Sequence, residues 1–460
     1  MKNVAALILA AGKGKRMQSS LPKVMHPVAG KPMLFYPVRL SKDIGANKIV
    51  VIVGHRKEEV TAAFKDSGVE FAEQDSPLGT GHAILSAEDR FKDWTGEVII
   101  LSGDVPLVTE ETLKRFLKSH REGGYALSLL STVVEDPTGY GRVVRGSNKG
   151  VVKVIEENEA SSNEKKIKEI NAGIYCISSS LLFELVNKVE VSPTGEYYLT
   201  DIIKDAIDKG LKVSAIRVND PLEVKGVNNR IELSTVNRVM RKRIIEKIML
   251  SGVTIVDPEN TYIDYGVKVA IDTTIYPDVF LQGNTVIGEG CIIEEGCKIV
   301  NTNIGRGSTI KSRTLIEDAR LGVEVTIGPF ARLRPGNIIG DRVRIGNFVE
   351  VKNSRIGHGT KANHLSYLGD AIIGEGVNIG AGTITCNYDG FKKYKTIIED
   401  RAFIGSDSQL IAPVRVGEGA YIGSGSTISK DVPPGALAIS RVKQRNIEGW
   451  VEKRMKESKE

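Results

Sequence analysis

A glycine-rich, cationic segment follows the first apolar run of the chain. The segment Leu9–Met17 reads LAAGKGKRM, and Lys23 follows it in a Leu-Pro-Lys sequence. Small residues and glycines let backbone N–H groups approach a phosphate or a base closely, and the Arg16 guanidinium adds a planar fork of donors for phosphate oxygens. A tight turn between a strand and a helix would also need glycine. Two cations on one loop favour an anion-binding site over that simpler reading.

Two further segments combine tight turns with polar side chains. Gln74 precedes a Gly-Thr-Gly turn that begins at Gly79, and its amide could hydrogen-bond the edge of a nucleobase. A helix N-cap by Thr80 is the structural alternative. Asp104 comes two residues after Ser102, at the end of another apolar run. A carboxylate there could hold Mg²⁺, which prefers oxygen ligands, or could simply stabilise a turn.

The residues around these segments predict the elements that position them. Four apolar runs are expected to form strands, namely Val4–Leu9, Ile49–Val53, Val98–Leu101 and Ala126–Thr132. Amphipathic segments between them are expected to form helices, namely Pro32–Leu40, Glu58–Phe64, Gly81–Glu88 and Glu110–Arg121. This alternation predicts βαβ units and a mostly parallel sheet, whose ligands bind at the carboxyl ends of the strands.

A long helix is expected after residue 228. It covers Arg230–Leu250, and its apolar stripe consists of Leu233, Val236, Met240, Ile244 and Ile248. Its basic face could in principle contact lipid or RNA, but solvated basic faces are common. The helix is therefore expected to connect two domains, with bounds of 1–228 for the first domain, 229–250 for the helix and 251–460 for the second domain.

The second half of the chain repeats an aliphatic residue at every sixth position. The repeat runs from Ile263 to Ile428 with short slips, and glycine often follows the aliphatic residue. An α-helix has a period of 3.6 residues, so it does not produce this pattern. A parallel β-helix does, because three six-residue units (hexads) close one triangular coil. The aliphatic residues are expected to point inward and to form one continuous core.

The repeat is interrupted between Thr385 and Ile398, where the step is about one hexad too long. Extra residues in such a stack form loops on one face, which is often the binding face. His364 lies about one coil before this loop, and adjacent coils are expected to bring the histidine and the loop together. A lone histidine is usually structural, but His364 is the candidate for proton transfer.

Composition excludes several classes of protein. The 460 residues suffice for two or three domains, and the formal net charge of +6 is dispersed along the chain. That charge permits a preference for anionic small molecules and does not indicate a nucleic-acid partner. Four cysteines without a Cys-x-x-Cys pair are typical of free thiols in a reducing compartment, and the first apolar run is too short to span a membrane. A cytoplasmic protein without nucleic-acid or membrane contact is expected.

Taken together, the motifs resemble one enzyme family over nearly the full length. In order they are LAAGKGKRM, LPK, LGTGHA, GDVPL, PTGYGR, EINAGIY, GEYYLTDII, VKGVNNR, PFARLRPG, GNFVEVK, YLGD, NIGAGTITCNYDG and ALAISR. They are similar to those of the bifunctional N-acetylglucosamine-1-phosphate uridylyltransferases / glucosamine-1-phosphate N-acetyltransferases. The resemblance implies an α/β chain with an N-terminal Rossmann-like nucleotidyltransferase domain, a linker helix and a C-terminal left-handed parallel β-helix of hexapeptide repeats. It also implies a homotrimer.

By motif, the resemblance also implies ligands for particular residues. UDP-N-acetylglucosamine would contact Leu9, Ala10, Ala11, Gly12, Lys23, Gln74, Gly79, Thr80, Ser102, Asp104, Gly141, Glu156, Asn171 and Asn228. Mg²⁺ would be held by Asp104 and Asn228, while Arg16 and Lys23 would act on the phosphates. Glucosamine 1-phosphate would contact Arg334, Lys352, Tyr367 and Asn378. Acetyl-CoA would contact Ala381, Asn387, Tyr388, Ser406, Ser424 and Arg441.

Two group transfers would follow one another. Acetyl transfer from acetyl-CoA to glucosamine 1-phosphate needs a base, and His364 is expected to fill that role. Uridylyl transfer from UTP to N-acetylglucosamine 1-phosphate releases pyrophosphate and needs positioning and charge neutralisation rather than a base. The product, UDP-N-acetylglucosamine, would supply peptidoglycan and lipopolysaccharide synthesis.

Two alternatives remain at this stage. The chain could be a nucleotidyltransferase whose β-helix only assembles and regulates the oligomer, or a non-enzymatic assembly subunit of the same fold. His364 and the loop that contains Asn387 argue against the first alternative, because a scaffold has no use for them. Arg16, Lys23 and Asp104 argue against the second.

Overall fold

The computed structural model describes residues 3–193 and 195–458 of the chain. The chain divides into two compact units, Met1–Arg241 and Lys242–Glu460. In the part of the chain that is described, no helix has both the length and the apolar character that crossing a membrane requires.

The first unit is built on a mixed β-sheet. Its described strands, numbered β1 to β9 in chain order, are Val4–Leu9, Lys48–Val53, Glu70–Glu73, Glu97–Ser102, Leu127–Val133, Arg142–Arg145, Val151–Ile155, Glu169–Ser178 and Val213–Arg217. Their order is β9-β5-β8-β4-β1-β2-β3, with β6 paired to β8 and β7 paired to β6. β1 runs parallel to β2 and β4, so Leu9 lies opposite Ser102 where both strands end.

The four predicted strands are confirmed to within one residue at each end. The sheet is mixed rather than mostly parallel, because β8 runs antiparallel to β4, β5 and β6, and β6 runs antiparallel to β7. β8 inserts between β4 and β5. Its sequence, EINAGIYCIS, mixes polar with apolar residues and therefore lacks the continuous apolar run that marks a strand buried on both faces.

Helices pack on both faces of this sheet. The helices that begin in the first unit, numbered α1 to α7, are Phe35–Asp43, Lys57–Phe64, Thr80–Leu85, Glu110–Glu122, Ser179–Val186, Asp201–Asp208 and Arg230–Leu250. Short 3₁₀ turns occur at Lys15–Met17, Lys23–Met25, Glu88–Phe91, Glu164–Lys166 and Pro221–Val224. α1 starts three residues later than predicted because Lys31–Pro32 instead pairs with Pro27–Val28 in a small hairpin.

The α7 helix has its predicted bounds. Its apolar stripe is buried at Leu233, Val236, Met240 and Ile248, and Ile244 packs against the hydrophobic core of the second unit. The division between the two compact units falls within this helix.

A buried carboxylate is neutralised at the start of β8. Glu169 is only 7% exposed and accepts hydrogen bonds from Arg145, Arg217 and Ser131. Burial alone would raise the pKa of Glu169, but these donors lower it to about 2. A carboxylate whose folded pKa is lowered contributes stability at pH values above its unfolded pKa. That contribution is lost as the pH falls through the folded pKa.

We expect Glu169→Gln to lower the free energy of unfolding by about 3 kcal/mol at pH 7, because two guanidinium groups lose their shared partner. The difference from the wild type should shrink as the pH falls from 4.5 toward 2, where the wild-type carboxylate also takes up a proton. Denaturant unfolding at a series of pH values measures both effects. Glu135→Gln removes an exposed partner of Lys168 and serves as the matched control. A constant difference across this pH range would contradict the assignment.

The second unit is a stack of coils made of short strands. Its described strands are Thr254–Ile255, Tyr262–Ile263, Lys268–Val269, Thr274–Ile275, Phe280–Gln282, Val286–Ile287, Ile292–Ile293, Lys298–Val300, Asn303–Ile304, Thr309–Ile310, Leu315–Glu317, Arg320–Leu321, Thr326–Ile327, Arg332–Leu333, Ile338–Ile339, Arg344–Lys352, Arg355–Ile356, Lys361–Gly369, Ala371–Ile373, Asn378–Ile379, Ile384–Cys386, Thr396–Ile398, Phe403–Ile404, Gln409–Ile411, Val414–Val416, Tyr421–Ile422, Thr427–Ile428 and Leu437–Ala438. Strands of successive coils pair in parallel, for example at Ile263 with Leu281 and at Ile275 with Ile293. Both pairs are three hexads apart, so one coil takes three hexads. A final helix, α8, covers Trp450–Glu457.

Burial confirms the six-residue pattern. Hexad positions such as Ile275 and Ile310 are completely buried and belong to one continuous core, whereas Val269 near the start is only partly buried. Thr385 is a polar residue at one of these inward positions. Its hydroxyl accepts a hydrogen bond from the Gly369 N–H at 2.7 Å and donates to the Gly369 carbonyl at 3.0 Å. The buried hydroxyl is therefore fully satisfied.

Candidate active sites

A cleft of about 410 Å³ opens where β1 and β4 end. It is lined by many of the residues that the resemblance assigned to the nucleotide and the sugar, namely Leu9, Ala10, Ala11, Gly12, Lys23, Gln74, Gly79, Thr80, Ser102, Asp104 and Glu156. The lining also includes Val24, Pro77, Ala83, Glu196 and Tyr198, which sequence reasoning did not single out. The GEYYLTDII motif contains the last two, but only the fold shows that they reach the cleft.

Two glycines of this site occupy positions that exclude a side chain. Gly79 has a φ of 104°, and a Cβ there would lie 2.5 Å from the carbonyl oxygen of Tyr197. Gly14 has a φ of 59°, and its Cβ would lie 2.7 Å from the Cβ of Lys23. Both turns therefore need glycine for conformational and steric reasons.

The Gln74 side chain and the Gly-Thr-Gly turn contact each other directly. Gln74 Nε2 donates to the Gly79 carbonyl at 3.1 Å and lies 3.2 Å from His82 Nδ1. The Thr80 hydroxyl accepts from the Leu199 N–H at 3.0 Å and makes no N-cap, since α3 begins at Thr80 itself. The structure thus rules out the capping alternative for Thr80.

Four side chains predicted to act on phosphate or metal meet at one edge of the cleft. The Lys23 ammonium contacts the Asp104 carboxylate and donates to Asn228 Oδ1 at 2.9 Å. The Arg16 guanidinium donates to the same Asn228 oxygen at 3.0 Å. The Val227 N–H donates to the Asp104 carbonyl at 3.0 Å, which joins the two segments that carry the oxygen ligands. We call the side chains of Arg16, Lys23, Asp104 and Asn228 the cationic edge.

The oxygens of Asp104 and Asn228 face one point, which the Lys23 ammonium takes in this structure. A carboxylate and an amide oxygen suit Mg²⁺, which keeps several waters and takes few protein ligands. Across the described ranges, no group of three or more His, Cys, Asp or Glu side chains could hold a metal ion. The carboxylate of Asp104 and the amide oxygen of Asn228 are the residues that would hold such an ion.

The start of α7 is tied to the cationic loop. Arg230 Nε donates to the Met17 carbonyl at 3.3 Å, and Arg230 Nη1 lies 3.2 Å from His26 Nδ1. His26 is buried, and burial together with the nearby guanidinium lowers its pKa. A neutral imidazole nitrogen can accept a hydrogen bond from the guanidinium N–H. Since Asn228 lies two residues before Arg230, these contacts position Asn228 against the loop.

The three residues predicted to hold the sugar lie together. A Cβ on Gly141 would lie 3.5 Å from the Glu156 carboxylate and 3.6 Å from the Asn171 Cβ. Burial raises the pKa of Glu156, and the Thr200 hydroxyl donates to its carboxylate at 3.0 Å. Asn171 Nδ2 donates to the hydroxyl of buried Tyr175 at 2.6 Å. Both candidate sugar ligands are therefore held by a further hydrogen bond.

Carboxylates dominate this second side of the cleft. Burial and the neighbouring carboxylates of Glu159 and Asp205 raise the pKa of Asp201 to about 6. Glu196 lines the cleft beside Glu156. Negative charge here repels phosphates and suits hydroxyl donors. The cleft therefore has a cationic edge and an acidic side.

A partly buried ion pair holds the loop that ends at Gly141. Arg142 is completely buried, and its guanidinium pairs with Glu157 at 2.6 Å and contacts the Tyr140 carbonyl. Glu157 also accepts from the Gly139 N–H at 3.1 Å. Sequence reasoning missed this pair, although the PTGYGR motif contains Arg142, because nothing in the sequence indicates that Glu157 folds back onto the motif.

His364 lies at a corner of the β-helix, between the inward residues Ala362 and Leu368. Its Nδ1 lies 3.2 Å from Asn347 Oδ1. An amide oxygen facing Nδ1 favours the tautomer in which Nε2 carries the lone pair. A cavity of about 610 Å³ beside the ring is lined by Thr309, Lys311, Thr326, Gly328, Pro329, Arg344, Ile345, Gly346, Asn347 and Asn363.

The register of the coils places several acetyl-CoA candidates in one column with His364. The paired inward residues of successive coils are Ala362, Ile379, Ile404 and Ile422. The residues two positions after them are His364, Ala381, Ser406 and Ser424. Arg441 Nη1 donates to the Ser424 carbonyl and so lies at the end of this column.

The extra loop contacts a different set of residues. Asn387 Nδ2 donates to Asp370 Oδ2 at 2.6 Å and lies 3.5 Å from the Tyr367 hydroxyl. Lys393, farther along the loop, contacts Lys352, and this contact lowers the pKa of Lys393. Two adjacent ammonium groups of this kind are suited to an anion such as a sugar phosphate.

The expectation that adjacent coils bring His364 and the loop together is wrong within one chain. Leu368 and Thr385 occupy equivalent inward positions of successive coils, as the pairing of Tyr367 with Ile384 shows. His364 precedes this face of the β-helix, and the loop follows it. The two groups therefore occupy opposite corners of one face. Counting hexads predicts the coil in which a residue lies. To predict the corner, one must also know which face of the coil precedes the residue and which face follows it.

The remaining predicted residues are distributed around these two corners. Leu333 and Val351 pair in register, so the residues that follow them, Arg334 and Lys352, are neighbours. Arg334 also forms an ion pair with Glu350 at 3.0 Å. Asn378 points outward from the face that precedes His364. The Tyr388 side chain is exposed within the loop, where Tyr388 bridges to Lys393.

Comparison with known proteins identifies both units. The nucleotidyl transferase family model matches residues 5–221, the GMPPB C-terminal domain model matches 259–344 and the bacterial transferase hexapeptide model, with six repeats, matches 395–430. The bifunctional protein GlmU of Pelobacter propionicus is 48% identical over 452 residues, and the match covers 98% of this chain and 98% of the relative. That of Geotalea daltonii is 49% identical over 452 residues, covering 98% of this chain and 99% of the relative.

A third relative gives the same result. The bifunctional protein GlmU of Clostridioides difficile is 48% identical over 453 residues, which cover 98% of each chain. Relatives of this identity span nearly the whole sequence, including both candidate sites. The chain therefore belongs to the GlmU family of bifunctional transferases, and it carries out the uridylyl and acetyl transfers of UDP-N-acetylglucosamine synthesis.

Proposed function

We propose that uridylyl transfer takes place in the cleft of the first unit, at the cationic edge. The convergence of Arg16, Lys23, Asp104 and Asn228 is the observation that carries this assignment. An oxygen of N-acetylglucosamine 1-phosphate attacks the α-phosphorus of UTP and expels pyrophosphate. The attacking oxygen is already anionic, so the reaction depends on orienting anions and neutralising their charge. Arg16 and Lys23 supply two positive charges for this purpose.

Asp104 and Asn228 would hold Mg²⁺, which when bound neutralises charge on the phosphates of UTP. The backbone of Leu9–Gly12 and the turn at Gly79 lie across the cleft, where they can bind the uridine nucleotide. Glu156 and Asn171, each held by a second hydrogen bond, are positioned for the amino sugar.

We assign acetyl transfer to the corner that carries His364. The amine of glucosamine 1-phosphate is protonated in neutral solution, and it must lose a proton before its nitrogen attacks the thioester carbon of acetyl-CoA. Asn347 orients the ring so that Nε2 can accept that proton. The C–N bond forms as the C–S bond breaks, the attacking nitrogen gives up a further proton as the amide forms, and CoA leaves as a thiolate that takes up a proton to become its thiol. The column of Ala381, Ser406 and Ser424 gives acetyl-CoA a path that begins at the base.

We propose that glucosamine 1-phosphate binds through Arg334, Lys352, Tyr367 and Asn378, and acetyl-CoA also through Asn387, Tyr388 and Arg441. Lys352 and the loop lie at the opposite corner of the face from His364. One chain therefore does not present both His364 and these loop-side residues to one substrate. A second copy of the chain that contributes its own corner would complete the site. This geometry supports the homotrimer that the resemblance implies.

An apolar ridge beside His364 supports the same assembly. The rings of Phe330 and Phe348 stack at 5.6 Å on the surface, and exposed Leu365 continues the row in the next coil. Contiguous exposed apolar side chains of this size mark interaction surfaces. We expect sedimentation equilibrium to give about three times the chain mass of 50.0 kDa. A mass near 50 kDa with full acetyl transfer would contradict a shared site.

A two-product assay tests the assignment of both reactions. The protein is supplied with Mg²⁺, glucosamine 1-phosphate, acetyl-CoA and UTP, and free thiol and pyrophosphate are followed separately. Omission of UTP should leave thiol release unchanged, whereas omission of acetyl-CoA should stop pyrophosphate release until N-acetylglucosamine 1-phosphate is added. Pyrophosphate release from the unacetylated sugar at the full rate would contradict the proposed order of the two transfers.

A further inference from the structure

Lys23 occupies the position that the metal ion would take. Its ammonium contacts the Asp104 carboxylate and donates to Asn228 Oδ1 at 2.9 Å, and these two oxygens are the ones that face the proposed metal position. The Lys23 side chain is only 14% exposed. The protein itself therefore supplies a cation that balances the partly buried carboxylate.

The segments that carry the two oxygens are held by contacts that do not involve Lys23. The Val227 N–H donates to the Asp104 carbonyl at 3.0 Å, and the Asn228 N–H donates to the Glu232 carboxylate at 2.5 Å. Arg16 holds the side-chain oxygen of Asn228 at 3.0 Å. The two segments and the Asn228 side chain would therefore keep their positions if the ammonium moved away.

The backbone of Lys23 is held while its charged end can swing. Lys23 begins the short turn Lys23–Met25, and its Cβ packs so closely against Gly14 that a Cβ on the glycine would lie 2.7 Å away. The side chain lines the cleft, so its flexible methylene stem allows the ammonium to reach a phosphate there without movement of the backbone.

We propose that Lys23 is a displaceable counter-cation, which the phosphates of a bound nucleotide draw away so that a divalent cation can bind Asp104 and Asn228. An ammonium and a divalent ion cannot share both oxygens, because two cations so close together repel strongly. The displaced ammonium needs a new anionic partner, and the nucleotide phosphates supply one. Lys23 thereby couples the binding of nucleotide and metal. The inference rests on the proposed metal position and goes beyond it.

Binding of Mn²⁺ alone tests whether the Lys23 ammonium competes with a divalent ion for these oxygens. Free Mn²⁺ is measured by electron paramagnetic resonance during titration of the full-length protein without nucleotide. Lys23→Met should bind Mn²⁺ at least tenfold more tightly than the wild type, because no ammonium competes. Lys23→Arg keeps a cation and should bind no more tightly than the wild type. Arg16→Met is the matched control, because it removes the same charge from a side chain that contacts Asn228 but not Asp104. Its Mn²⁺ affinity should rise less than threefold.

The outcomes separate this inference from the proposed function. Equal Mn²⁺ affinity for Lys23→Met and the wild type, or equal gains for Lys23→Met and Arg16→Met, would overturn the displacement and leave the metal assignment intact. Adding Asp104→Asn to Lys23→Met should abolish the tight binding, and binding that survives would overturn both. Thermal unfolding verifies that each variant is folded, and Lys23→Gln provides the same comparison if the methionine variant is not.

Discussion

Replacement of His364 by alanine should lower the rate of acetyl transfer by roughly 100- to 10,000-fold, the range typical of a lost general base. Uridylyl transfer from N-acetylglucosamine 1-phosphate should continue at the wild-type rate, because it uses the cationic edge of the other unit. The loss follows from chemistry: without a positioned acceptor, the amine of glucosamine 1-phosphate stays protonated and does not attack the thioester. Release of free thiol and release of pyrophosphate measure the two activities independently.

The β-helix offers a matched control for this variant. His358 lies in the preceding corner region, and its Nε2 contacts Arg342 Nη2 at 2.9 Å. His358→Ala removes an imidazole from the same unit but should leave acetyl transfer unchanged. Full thiol release by His364→Ala, or equal losses in both variants, would contradict the assignment of His364 as the base.

Replacement of Asp104 by asparagine should lower uridylyl transfer by roughly 100- to 1,000-fold, the loss typical when one group that stabilises charge in the transition state is removed. The amide keeps the shape of the side chain but loses the negative charge that faces the proposed metal position and the Lys23 ammonium. Pyrophosphate release at saturating UTP measures the effect. Acetyl transfer should not change.

Asp93→Asn is the control for this prediction. Asp93 is an exposed carboxylate before the amino end of β4, whereas Asp104 follows the carboxyl end of the same strand. The control removes the same charge from the same unit, far from the cleft lining. Wild-type pyrophosphate release by Asp104→Asn would show that the first site is misplaced.

The second unit could be predicted in detail because its pattern is local and repeated. Each hexad carries its own inward aliphatic residue, so sequence spacing alone predicted burial at positions such as Ile275 and Ile310. The strands β1, β2 and β4 were predicted for a similar reason, since each contains a continuous apolar run, whereas serines interrupt the apolar residues of β5. The reversed strand β8 was missed because its polar residues obscure that signal.

The candidate sites were predictable in composition but not in arrangement. Motifs named Lys23, Asp104 and Asn228, but nothing in the spacing of these residues indicates that one ammonium contacts both oxygens. The Arg142–Glu157 and His26–Arg230 contacts join segments that carry no sequence signal for each other. Contacts of this kind arise from tertiary packing, so they become visible only when the fold is known.

Because successive coils pair in register, the face on which a residue lies depends on the number of hexads before it, as a codon depends on its reading frame. Loss of one complete coil would shorten the stack and keep every later residue on its face. Loss of a single hexad would shift every later residue by one face, and if that hexad lay between His364 and Ala381, Ala381 would leave the edge that it shares with His364. The extra residues between Thr385 and Ile398 escape this rule, because they leave and rejoin the stack at one corner, so that Ile398 still pairs with Ile373. At that corner, the number of residues can therefore vary without moving the later residues to a different face of the β-helix.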